Sequence, residues 1–102
     1  MIARLWRGWV RTEDRDTYAA YVEETGVSQY RRTAGNQGAH ILLRDLDDGR
    51  TEIVALSFWS SYDAIRAFAG EDIEVAVDYP DDDRYLVQRE DTVTHYEVRS
   101  ED

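Results

Sequence analysis

Only two imidazoles occur in the chain, His40 and His95, and an imidazole is the side chain generally suited to taking a proton from a bound substrate near neutral pH. His40 falls in a run, Ala39 to Leu46, that reads as a strand. Pairing that run with Thr51 to Trp59 across a tight turn puts Ser57 opposite His40, with Trp59 further along the same face. His40, Ser57 and Trp59 are therefore expected together at a cleft. His95 lies in a second stretch of strand character, Thr92 to Arg99. Tyr96 beside it must face the other way, whereas Glu97 shares its face and could orient the imidazole. The plainer reading for each histidine is structural: a hydrogen-bonded rim residue for His40, and strand packing or a subunit contact for His95.

Other chemistries are excluded by what the chain lacks. It has no cysteine, hence no thiol nucleophile, disulfide or thiolate zinc site. All twelve basic residues are arginine, so a lysine Schiff base is unavailable. Two histidines without supporting ligand spacing do not make a metal centre, which usually needs three or four protein ligands. Asp81-Asp82-Asp83 lacks the alternating spacing of a calcium loop and reads as a solvated helix start. No phosphate-binding glycine loop and no nucleophile elbow is present. No cofactor is expected. A formal net charge of −10 opposes nucleic acid and anionic membranes. No apolar run approaches the roughly 20 residues of a membrane span, and the arginine-interrupted start, Met1 to Arg7, has no signal-peptide core. The missing cysteine suits a reducing compartment, and a cytoplasmic location is expected.

The elements that must position these residues follow at short spacing in one domain, residues 1–102. Ile2 to Arg11 reads as a strand, with Trp6 and Trp9 on opposite faces. Thr12 offers a helix cap, followed by Glu13 and Asp14 in the first turn. Tyr18, Tyr21, Val22 and Thr25 then fall on one helical face. Gly26 bends or restarts that helix before Tyr30. Gly35-Asn36-Gln37-Gly38 reads as a loop. After the third strand, Ser60 or Ser61 caps a helix whose apolar face is Ala64, Ile65, Phe68 and Ala69, and Gly70 ends it. Ile73 to Val77 reads as a short helical turn. Pro80 breaks it, and a further turn runs through Tyr85 and Leu86 before the last strand. Ser100-Glu101-Asp102 reads as a frayed tail.

The order β-α-β-β-α-β predicts an α+β, ferredoxin-like domain with one antiparallel sheet and both helices on one face. A two-residue turn at Asp48-Gly49 sets Asp47 opposite Arg50. It places Leu43 with Val54, Ile41 with Leu56 and Ala39 with Phe58 on one face. Arg44 with Ile53, Leu42 with Ala55 and His40 with Ser57 take the other. Both faces then carry residues of buried type. The helices cover one, and a second copy of the chain, making a homodimer, is the economical cover for the other.

On Ser57 to Gly70, Tyr79 to Leu86 and His95 to Val98, the chain resembles the antibiotic biosynthesis monooxygenase-like family, over nearly its whole length. The resemblance implies a dimeric α/β barrel with a cleft between sheet and helices in each subunit. In that cleft, members of the family oxidise aromatic polyketides or quinols without a cofactor, or bind and degrade haem. Trp59 looks like the cleft tryptophan of both types. The cofactor-free type carries an Asn four residues before it and a Tyr six after, where this chain has Ala55 and Ile65. The haem-degrading type carries a His about ten residues after, where this chain has Ala69, and an Asn on a first strand that here has none.

Two functions follow. One is a cofactor-free monooxygenase of a small aromatic or quinol, with His40 or His95 as base and Trp59, Ala55, Ser57, Ile65 and Phe68 shaping the pocket. The other is a non-catalytic dimer of the same fold that binds a small aromatic or apolar ligand or serves structurally, to which Ala55 and Ile65 are suited. Haem binding through His40 or His95 is a third.

Overall fold

The computed structural model describes residues 1–99. The tail expected at Ser100-Glu101-Asp102 lies outside the described residues.

Strand β1 (Ile2–Arg11) is the axle of the sheet. Strand β3 (Arg50–Trp59) pairs with it antiparallel along its full length, from Ile2 opposite Trp59 to Arg11 opposite Arg50. Strand β2 (Asn36–Asp45) pairs with the far side of β3. The other edge of β1 is shared by two short strands, β4 (Leu86–Arg89) near Gly8–Val10 and β5 (Thr94–Glu97) near Ile2–Leu5. The last strand expected from Thr92 to Arg99 is present as the shorter β5, and β4 is an additional strand that starts at Leu86, where a turn was expected. Between the two, Glu90 is tied to β1, because Trp6 Nε1 donates to its carbonyl at 2.7 Å and Arg7 N to its carboxylate at 3.1 Å. With β4 and β5 taken as one interrupted strand, the order is that of a ferredoxin-like sheet.

The hairpin corrects the expected register by one residue. Its loop is Asp47-Asp48-Gly49, closed by Leu46 N donating to Arg50 O at 2.8 Å. Gly49 takes φ +84°, a left-handed conformation that favours glycine, and Asp48 Oδ1 accepts from Arg50 N. A third loop residue moves every pair. Ala39 faces Ser57, His40 faces Leu56, Ile41 faces Ala55 and Leu43 faces Ile53. His40 therefore shares the face of Leu56 and Phe58, and not that of Ser57 and Trp59.

A 3-10 turn (Thr12–Asp14) leads into α1 (Arg15–Val22). Thr12 does not cap it: its hydroxyl lies 3.0 Å from that of Thr51, and its N–H donates to Gly49 O. At Gly26 the helix neither breaks nor restarts. It widens into a π turn (Glu23–Val27) and runs on as α2 (Ser28–Arg32). Thr25 Oγ1 donates back to Tyr21 O at 2.8 Å, a bond that eases the helix out of regular geometry. Ser61, accepting from Ala64 N, caps α3 (Tyr62–Ala69), and Gly70 at φ +89° closes it. The segment Ile73 to Val77 is not helical. It is an irregular strap, bridged at Val75 to Thr92, that leads to the single turn α4 (Asp82–Tyr85). Asn36 begins β2 at a bulge, with Nδ2 on Phe58 O and Oδ1 on Gly38 N, so it is a strand residue and not a loop residue.

Both buried clusters draw on one sheet face. Val10, Ala39 and Ile53 meet Tyr18, Val22 and Val27 of the long helix, and Ile2 and Trp59 meet Ile65 of α3. No helix among the described residues is long and apolar enough to cross a membrane.

Candidate functional site

A narrow cleft of about 30 Å³, open to solvent at its mouth, runs between the helix-covered sheet face and the long helix. Its floor is Arg4, Trp6 and Ala55, inward residues of β1 and β3. One wall is helical, with Tyr18, Gly26 and Tyr30. The other is the strap, with Val77, Tyr79 and Asp82. The cleft is narrow, and the π turn keeps it from being narrower, since it brings a residue without a side chain to the wall. A Cβ at Gly26 would stand 3.7 Å from the Tyr79 ring and 3.8 Å from the Tyr30 hydroxyl.

Arg4 is the most unusual group here. It is 3% exposed, yet none of the ion pairs among the described residues includes it. Nη1 donates to Ile73 O at 2.6 Å and meets His95 Nε2 at 3.0 Å, and the guanidinium carbon lies 6.0 Å from the centre of the Phe68 ring. Burial pulls its pKa below the usual arginine value, and nearby Tyr30 and Tyr79 act the other way. Asp82, 4% exposed, accepts from the Tyr18 hydroxyl at 3.0 Å and from Tyr79 N at 2.9 Å. Burial raises its pKa against the pull of those bonds. The Tyr18 phenol is raised by its own burial and by Asp82. A buried acid with a raised pKa beside a cleft is a recognisable proton acceptor or donor.

The residues expected at the site are dispersed. Ala55 lines the cleft. Trp59 and Ser57 are sealed in the core, joined by Trp59 Nε1 donating to Ser57 Oγ at 2.8 Å. Trp59 stacks on Phe68 at 5.9 Å, with Tyr30 edge-on to both, and Ile65 is wholly buried beneath α3. These four form the packing behind Arg4 and do not line the cleft. His40 is exposed on the opposite sheet face, with its ring 6.3 Å from Phe58. His95 does face inward, but it borders a separate open groove with Tyr62, Ile73 and Glu74. Its Nε2 meets an Arg4 N–H and must act as acceptor there, so that lone pair is committed. Burial, then the Arg4 charge, lowers its pKa. Glu97 makes no hydrogen bond to it among the described residues.

Arg4, Trp6, Tyr30, Tyr79 and the Tyr18–Asp82 pair were not named as site residues from the sequence. Arg4 carried a readable signal, as the one charge among the inward positions of β1, between Ile2 and Trp6. Asp82 carried none, being one of three consecutive aspartates of which only the middle one turns inward.

No family model matches the chain, and no curated protein matches its sequence significantly. Solved structures do. A Bacillus cereus protein provisionally named an antibiotic biosynthesis monooxygenase superposes with a TM-score of 0.70 at 17% identity, covering 99% of this chain and 95% of its own. A similarly named Nitrosomonas europaea protein gives 0.64 at 16%, covering 96% and 98%. A point mutant of MhuD, with two manganese protoporphyrin IX bound per active site, gives 0.66 at 13%, covering 99% and 97%. The chain has the α+β, ferredoxin-like fold of the antibiotic biosynthesis monooxygenase proteins over nearly its full length.

Proposed function

We propose that the chain binds a small aromatic molecule in the cleft between sheet and helices, and that oxygenation of a phenol or quinol without a cofactor is its reaction. The observation that carries this is the cleft itself, which is lined by four aromatic side chains: Trp6, Tyr18, Tyr30 and Tyr79. Oxygenases named on the same fold support the reaction class. In this reading Asp82, and not a histidine, takes the phenolic proton. The electron-rich anion then reacts with dioxygen: a ring C–H becomes C=O, the substrate is oxidised to a quinone and supplies all four electrons, one oxygen atom stays in the quinone and the other leaves as water.

The test is oxygen uptake with 1,4-dihydroxynaphthalene, alongside quenching of tryptophan fluorescence. Uptake that falls at least about tenfold in Asp82→Asn, with quenching retained, fits the reaction. Quenching without uptake leaves the second reading, a binding protein. That reading is favoured by both histidines lying off the cleft. Absence of both responses sinks the cleft as an aromatic site. Haem binding draws no support from the geometry, since neither histidine reaches the cleft.

We further propose that a second copy covers the outer sheet face. Leu5, Trp9, Val54, Leu56 and Phe58 stand there, with no helix over them, and Leu5, Val54, Leu56 and Phe58 are only half-buried.

A further inference from the structure

Arg4 does not use its nitrogens equally. Nη1 is taken up by Ile73 O and His95 Nε2, whereas Nε and Nη2 donate to nothing among the described residues. No side-chain nitrogen or oxygen sealed from solvent lacks a partner among the described residues, so these two nitrogens are not sealed, and Arg4 lines the cleft. Tyr30 repeats the pattern. Its hydroxyl has no partner among the described residues, is not sealed, and stands beside the space left by Gly26. Two side chains with unused donors, one of them a buried cation without a carboxylate, therefore line one cavity. The Nε–Nη2 edge of a guanidinium is the side that grips a carboxylate with two parallel bonds.

We infer that the ligand of this cleft carries a planar oxyanion, a carboxylate or a phenolate, seated on Nε and Nη2 of Arg4 with the Tyr30 hydroxyl donating to it. The inference rests on the reading of the cleft as an aromatic-binding site and adds the charge and orientation of the ligand. The anionic end lies at the Arg4 floor beneath Tyr30. The ring lies toward Ala55, Val77 and Tyr79. Asp82 does not take the place of the anion, because no ion pair joins it to Arg4; its oxygens accept one bond each, from Tyr18 and from Tyr79 N, and each keeps a second lone pair for a proton. A cation held out of water without a counter-ion is costly, and an arriving oxyanion supplies the missing partner. The net charge of −10 repels anions at long range, so this recognition is local and selects one well-shaped acid, not anions in general.

Benzoate and benzamide have nearly the same shape and differ in charge, so they separate the two layers of the reading. Each is titrated by calorimetry into the wild-type protein, Arg4→Met and Tyr30→Phe, with circular dichroism checking the fold of both variants. Benzoate is expected to bind wild type at least about tenfold more tightly than benzamide. Arg4→Met should erase that preference. Tyr30→Phe, a change that removes one oxygen and keeps the packing, should weaken benzoate about fivefold and leave benzamide unchanged. Should Arg4→Met not fold, the Tyr30→Phe result decides. Benzamide binding as tightly as benzoate, or Tyr30→Phe weakening both alike, overturns the oxyanion site and leaves the aromatic cleft standing. If neither compound binds, the oxyanion site and the aromatic cleft fall together.

Discussion

The two faces of β3 have solved different problems with the same ten residues. Inward go Thr51, Ile53, Ala55, Ser57 and Trp59, all buried under helices. Outward go Glu52, Val54, Leu56 and Phe58, of which the three apolar ones are only half-covered. The inward side is complete, with its one large side chain, Trp59, locked between Phe68 and Tyr30, and with small residues where the cleft needs room. The outward side is apolar without being closed. The face finished within the chain carries the cleft, and the unfinished face is the one on which a second copy is proposed.

Breaking the finished face should cost most. Trp59→Ala removes a fully buried ring and should lower stability by about 3–5 kcal/mol in a urea titration. A loss below about 1 kcal/mol would mean that the site collapses around the gap and is not the rigid backing described. The unfinished face should respond in assembly. Leu56→Asp is expected to halve the mass seen by sedimentation equilibrium while leaving the circular dichroism spectrum intact. An unchanged mass would remove the second copy from the outer face. Gly26→Ala sharpens the contrast within the inner side. Its added methyl meets neighbours at ordinary contact distance, so stability should hold or rise by up to about 1 kcal/mol, while benzoate affinity drops severalfold as the cleft fills.

The smallest effect expected is one of pH. Burial and Arg4 hold the folded-state pKa of His95 below its unfolded value, so the unfolded chain takes the proton first. Stability from this contact is present above about pH 6.5 and is lost as pH falls from there through the folded pKa. The urea midpoint should therefore drop between pH 7.5 and 5.5, and His95→Gln should flatten that part of the profile. An identical slope in the variant would place the proton elsewhere.

Much of this fold could be read along the chain because its signals are local. The full extent of β1, the Gly70 stop and the opposed faces of Trp6 and Trp9 rest on propensity and alternation. The site was harder, and one loop residue shows why. Whether the Asp-Gly turn holds two residues or three is a local detail, but strand faces have period two. A single extra residue carried His40 away from Trp59 and exchanged a proposed catalytic residue for a surface one. The strap from Ile73 and the inward turn of Asp82 depend on contacts with Arg4 and Tyr18, far away in sequence, and no window of residues contains both partners.

The place of β1 as the axle also bears on the order of folding. It is the first strand of this sequence, but the residue paired with Ile2 is Glu97 and the one paired with Arg4 is His95. During synthesis β1 leaves the ribosome long before half of its hydrogen-bonding edge exists. Arg4 then waits, solvated, for the histidine and the Ile73 carbonyl that will bury it. The local β2–β3 hairpin can form early, whereas closure of the β1 edge carries the largest loop entropy in the domain. The floor of the cleft thus depends on contacts between residues far apart in this sequence, Arg4 with Ile73 and His95, so the cleft takes its final form only once the β1 edge has closed.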